Sequence, residues 1–179
     1  MKVDLLTKPF SNFKRFFENG TLIDSGPLML IFYREFDKKY NSDFLKKISY
    51  DKIDYTALTL FINGLPGRLI ITPNIFHELY NHAQKHFDNR LREFFNVCFD
   101  KLIGMEEMPV KKNDMLNHDL FIELEIGEHS LICACGTEPH AIIHGEERGI
   151  IDGKLRQNKD ILTISIKNDI LPWYYAMYG

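Results

Sequence analysis

The feature that most limits what this chain can become is a set of short apolar runs, "TLID" (21–24), "RLIIT" (68–72), "HAIIHG" (140–145) and "DILTISI" (160–166), held apart by longer segments of helical period. Each run is too brief for a helix, carries β-branched residues and is bounded by glycine, proline or a polar residue, which reads as a buried strand. The longest intervals between runs place apolar residues at three- and four-residue spacing. In "TPNIFHELYNHAQKHF", Thr72 or Asn74 caps a helix whose Ile75, Leu79, Ala83 and Phe87 form one stripe. Strands separated by helices predict an α/β fold of three layers, a mostly parallel central sheet with helices on both faces.

The remaining segments fit that plan. Gly26-Pro27 turn the chain into the helix "PLMLIFYREF", and apolar residues from Ser42 to Asn63 keep a rough helical period until Gly64, Pro66 and Gly67 end it. A kink at Asp88-Asn89 separates the capped helix from its continuation "NRLREFFNVCFDKLIG". "EEMPVKK" reads as a strand or extended link and "NDMLNHDLFIELEI" as an amphipathic helix, which Gly127 breaks before "EHSLICACGT" starts another. Residues 1–20 form a short helical extension with Phe13, Phe16 and Phe17 on one stripe, and 21–179 a single domain. A chain of 179 residues with 45% apolar side chains builds one such core and leaves little for a second.

A net charge of −3 provides no global field for a nucleic acid or an anionic membrane surface, so a polyanionic partner needs a local patch. No stretch approaches the ~18 uninterrupted apolar residues of a membrane span, and the charges scattered through the first twenty residues disfavour a signal peptide. Three cysteines (Cys98, Cys133 and Cys135) make an odd set without a disulfide framework, which suits a reducing, cytoplasmic setting.

Open α/β sheets bind ligands beyond the carboxyl ends of their strands, and Asp24 ends the first of them. A strand-end aspartate followed by a helix can equally be the cap of that helix. Three further places carry acids near the same sheet edge: Glu78 in the first turns of the helix after "RLIIT", Glu128 after Gly127, and Glu146 with Glu147 after "HAIIHG". Carboxylates brought together repel one another unless a cation neutralises them, and hard divalent ions such as Mg2+ or Mn2+ do so through oxygen ligands.

"LIDSGPLML", "ITPNIFHELYN", "IGEHSLICAC" and "AIIHGEE", in this order, resemble the PIN domain, a fold of metal-dependent nucleases that includes many toxins of toxin–antitoxin pairs. The resemblance covers roughly residues 21–150. It implies that Asp24, Glu78, Glu128 and Glu146 are catalytic, and that these four with Glu147 hold Mg2+ or Mn2+. At two of the acid positions Glu stands where Asp is usual, which sets the oxygens one carbon further out. The implied activity is hydrolysis of RNA phosphodiester bonds, with Ser25 orienting a water or phosphate oxygen, and Arg148, Lys154 and Arg156, or Lys111 and Lys112, meeting the RNA backbone. An antitoxin protein and a homodimer are implied partners. The alternative is a PIN-like scaffold without metal chemistry that binds protein or RNA.

Other patterns compete. "HELYNH" misses the zinc-protease helix because Asn81 replaces the second histidine, although Glu78, His82 and His86 share a helix face. Cys133 and Cys135 are spaced for core packing rather than for zinc. His129 and His144 flank the acids and read either as modulators of their pH response or as buried, backbone-bonded histidines. The aromatic tail Trp173, Tyr174, Tyr175 and Tyr178 reads as base-stacking or, better, as a seal over the core or an interface.

Overall fold

The computed structural model describes residues 10–118, 124–136, 138–145 and 160–179. The chain is an α/β protein, and its described residues form five parallel strands: β1 (Thr21–Ile23), β2 (Leu69–Ile71), β3 (Glu106–Glu107), β4 (His140–His144) and β5 (Ile161–Ser165), in the order β3-β2-β1-β4-β5. Leu22 pairs with Ile70 on one side and with Ile142 on the other. Every residue of β1 and β4 is buried. Because successive side chains of a strand point to opposite faces, five buried residues in a row mean that both faces of the sheet are covered.

The covering helices follow the strands that position them. After β1 comes α2 (Ser25–Tyr40), preceded by the short α1 (Arg15–Glu18), and then α3 (Lys52–Asn63), which a reciprocal Asp51–Asp54 capping box starts. After β2 come α4 (Pro73–Phe87) and α5 (Leu91–Ile103). Thr72 caps α4 by accepting from the Ile75 N–H, Pro73 takes the first helical position, and Ile75, Leu79, Ala83 and Phe87 are buried along one stripe, as the spacing predicts. The predicted kink is a single turn of 3-10 helix at Asp88–Arg90, entered through Asp88 at φ 39°. The short α6 (Lys112–Leu116) and α7 (Ile126–Cys135) lead into β4, and α8 (Leu171–Tyr178) closes the chain.

Two aromatic groups glue these layers. Tyr33 and Phe36 of α2 meet Phe87 of α4 and Phe94 of α5, with ring centroids 4.3 Å apart for Phe87 and Phe94. Phe61 of α3 meets Phe10, Phe17 and Trp173. Phe10, Phe16 and Phe17 therefore belong to the same core as the sheet, although they precede it.

Three local expectations are corrected. The period from Ser42 to Asn63 is interrupted: a 3-10 turn at Phe44–Lys47 and an extended link precede α3, because Asp51 caps a new helix there. The helix expected over 113–126 is confined to Lys112–Leu116 at its start, and residues 119–123 lie outside the described residues. Gly127 breaks nothing; it is the second residue of α7, with Glu125 ahead of the helix. The C-terminal aromatics lie on α8, entered through a π-turn at Ile166–Ile170, and Trp173 seals the core at 3% exposure. No helix among the described residues is long and apolar enough to cross a membrane.

Candidate functional site

The strand order creates one privileged position. From β1 the chain steps outward to β2 and β3, then returns past β1 to add β4 and β5 on the other side. The crevice at the carboxyl ends of β1 and β4 is the point where the winding reverses, the place where open parallel sheets leave room for a ligand.

Asp24 stands at that crevice. Its backbone is extended and caps α2; Oδ1 accepts from the Ser25 N–H at 2.7 Å and lies 3.5 Å from Ser25 Oγ. Capping and site-lining thus coexist, since the carboxylate spends one oxygen on the helix and borders a cavity of about 680 Å³. Ser25, Glu78 and Glu128 line the same cavity. Three acids from three separate crossovers, namely the start of α2, the second turn of α4 and the first turn of α7, open on one space.

Close backbone approach makes this possible. The Glu78 carboxylate packs against Gly127, where a β-carbon would overlap it. That contact brings the first turn of α7 beside α4. A buried hydroxyl relay fastens it: Ser130 Oγ donates to the Gly127 carbonyl at 2.6 Å and lies 2.6 Å from Thr72 Oγ1, the cap of α4. Across the crevice, a β-carbon on Gly26 would stand 3.7 Å from the Gly145 α-carbon and 3.4 Å from the Tyr50 hydroxyl. Tyr50 therefore wedges its phenol between the two strand ends.

Basic groups line the same space. Lys47, Lys85 and Lys167 line the cavity, together with His82 and His86 of α4. Lys167 is tethered: its ammonium lies 2.6 Å from the carboxylate of Asp54, which is 1% exposed. His86 is fixed through Nδ1, 2.8 Å from the hydroxyl of the buried Tyr33. Burial pushes the Tyr33 phenol far up, so it stays protonated, and burial with neighbouring Lys47, His82 and Lys85 holds the His86 imidazole below its ordinary value.

Among the described residues, no group of three or more His, Cys, Asp or Glu side chains is disposed to hold one metal ion. Asp24, Glu78 and Glu128 share a cavity without meeting in one coordination sphere. Glu146, Glu147, Arg148, Lys154 and Arg156 lie outside the described residues; Gly145, just before Glu146, lines the cavity. Lys111 and Lys112 are exposed at the start of α6 and do not border it.

Sequence reasoning missed Lys47, Tyr50, Lys167 and Glu125, all of which line the cavity. The Glu78, His82, His86 spacing did signal a common face. Of the flanking histidines, His129 and His144 are buried, with the His129 Nε2 3.6 Å from Cys133 Sγ. Cys98 and Cys135 are buried, and burial raises the thiol of Cys135 to about 12. No protein-family model, curated protein or solved structure matches this chain.

Proposed function

We propose that the chain is a PIN-like ribonuclease dependent on Mg2+ or Mn2+, hydrolysing RNA phosphodiester bonds at the crevice beside Asp24. The observation that carries this reading is the opening of Asp24, Glu78 and Glu128 onto one cavity at the reversal point of a parallel sheet. The donors are all carboxylate oxygens, the chemistry that suits a hard cation. Magnesium is commonly held by one or two carboxylates, completed by waters and substrate phosphates, so acids that share a cavity without forming a three-residue cage fit it.

Asp24 with Glu78 or Glu128 would hold the ion, which when bound supplies an acidified water and neutralises charge on a phosphate. The chain contributes the rest. The Ser25 N–H fixes the orientation of the Asp24 carboxylate. Gly127 lets the Glu78 carboxylate reach the cavity along the first turn of α7, whose N-terminal dipole favours negative charge. The lysines that line the cavity attract the phosphate backbone that the acids alone would repel.

Asp24→Asn is the direct test, because asparagine caps a helix as well as aspartate does and leaves α2 intact. Thermal stability of the unaltered protein is expected to rise with millimolar manganese and cleavage of a labelled RNA to follow; both responses vanish in Asp24→Asn. If neither protein responds to manganese and neither cleaves, the reading falls to the catalytically silent binding module.

A further inference from the structure

The cavity is polarised along α4. Glu78, His82 and His86 recur every four residues on the face that lines it, and at a rise of about 1.5 Å per residue His86 stands roughly 12 Å from Glu78 along the helix axis. The acids gather at the Glu78 end. At the other end, Lys85 stands beside His86, and Lys47 reaches in from the preceding 3-10 turn. Lys47 is held in place: its ammonium donates to the His86 carbonyl at 3.0 Å and lies 4.4 Å from the centroid of the Phe44 ring. His86 is pinned through Nδ1 by Tyr33, which leaves Nε2 for a ligand.

Lysines gathered about two helical turns from a cluster of acids call for more than one phosphate. A single phosphate at the Glu78 end does not span the roughly 12 Å of helix to His86. A strand whose phosphates recur along the helix does. We infer that Lys47, Lys85 and His86 form a distal backbone subsite, which grips a single-stranded polynucleotide about two phosphates away from the bond addressed at the acidic end. The position of the cleaved bond rests on the nuclease reading; the grip does not. The separation exceeds the Debye length of ~10 Å at 0.1 M salt, so at that ionic strength the acids do not cancel the attraction.

Binding is measured by anisotropy of labelled single-stranded RNA in EDTA, with lengths of two, four and twelve nucleotides, across a salt series. The twelve-mer and tetramer are expected to bind at least tenfold more tightly than the dinucleotide. Lys47→Ala and Lys85→Ala each weaken twelve-mer binding severalfold and reduce the salt slope by about 0.7, the contribution of one phosphate contact on a single strand. Equal affinity at all lengths, an unchanged slope in the double variant, or a duplex bound as tightly as the single strand overturns the subsite. Both lysines are exposed, so melting temperatures that stay within a degree or two confirm that folding is not the cause. Because EDTA removes any metal, loss of the nuclease reading leaves this result standing. Manganese-dependent cleavage that is indifferent to length and to both lysines removes the subsite alone.

Discussion

The carboxylate of Glu78 rests on the α-carbon of Gly127, and no β-carbon fits between them. A residue of α4 and a residue of α7 thus share one site, and the nearest atoms that an added β-carbon would meet all belong to the far end of a flexible glutamate. Gly127→Ala separates site from fold on this account. Alanine within a helix gains roughly 0.5–1 kcal/mol over glycine, which offsets the cost of displacing the carboxylate. Urea unfolding is expected to change by less than about 1 kcal/mol, while manganese stabilisation and RNA cleavage fall sharply. Full activity in this variant shows that the seat of Glu78 does not matter.

At the other rim a β-carbon on Gly145 would overlap the Tyr50 hydroxyl and stand 3.3 Å from Tyr50 Cζ. Here the obstacle is mainly one oxygen. Gly145→Ala in the unaltered protein is expected to cost about 1–3 kcal/mol, the usual range for an overpacked contact. The same change in a Tyr50→Phe background costs much less, because the ring carbon alone is a tight but tolerable neighbour. A double-mutant cycle of unfolding free energies measures the coupling. Additive costs show that Tyr50 does not occupy the gap between the strand ends.

The parts of this architecture that the sequence announced are those where local chemistry and tertiary demand coincide. The Ile75, Leu79, Ala83, Phe87 stripe is buried because α4 packs along its whole length, and Thr72 caps it with its own hydroxyl. Asp24 was visible because it closes a three-residue strand, and Ser25, Gly26 and Pro27 then open the first turn of α2. Gly127 misled because a glycine inside a helix is ordinarily a breaker. Its reason, the carboxylate of a residue 49 positions earlier, has no local trace. Lys47 and Tyr50 were invisible for the same reason: the 3-10 turn and the extended link that hold them read as part of one rough helical period, and only the pairing of β1 with β4 brings the crevice to them. Glu125 was absorbed into a helix expected over 113–126, whereas it stands ahead of α7.

Thr72 and Ser130 carry the contact between the two helices that deliver Glu78 and Glu128. The donors run in one direction: the Ile75 N–H donates to Thr72 Oγ1, Thr72 to Ser130 Oγ, and Ser130 to the Gly127 carbonyl. Both hydroxyls are fully buried. Ser130→Ala leaves the Thr72 hydroxyl without its acceptor and is expected to cost about 1–3 kcal/mol. Thr72→Val removes the cap as well and costs at least as much. Chemical denaturation of both single variants and the double should give a combined loss smaller than the sum, since either change breaks the same relay. Strict additivity would mean that the two hydroxyls do not act as a unit.

His86 sets a pH dependence whose sign follows from its surroundings. Burial comes first, and then the positive neighbours Lys47, His82 and Lys85, all of which disfavour the imidazolium; Tyr33, on the remaining side, is a neutral phenol. The folded imidazole therefore titrates below its ordinary 6.5. As the pH falls through 6.5 the unfolded chain takes up a proton before the folded protein does. Stability from this group is complete above that point and is lost as the pH drops toward the folded value. His129 titrates in the same direction, because of its own burial and the nearby His118, so a residual slope persists without His86. Unfolding free energies measured between about pH 5 and pH 7 should fall less steeply in His86→Gln than in the unaltered protein. An identical slope in the two proteins would show that His86 is not held neutral by Tyr33, Lys47 and their neighbours.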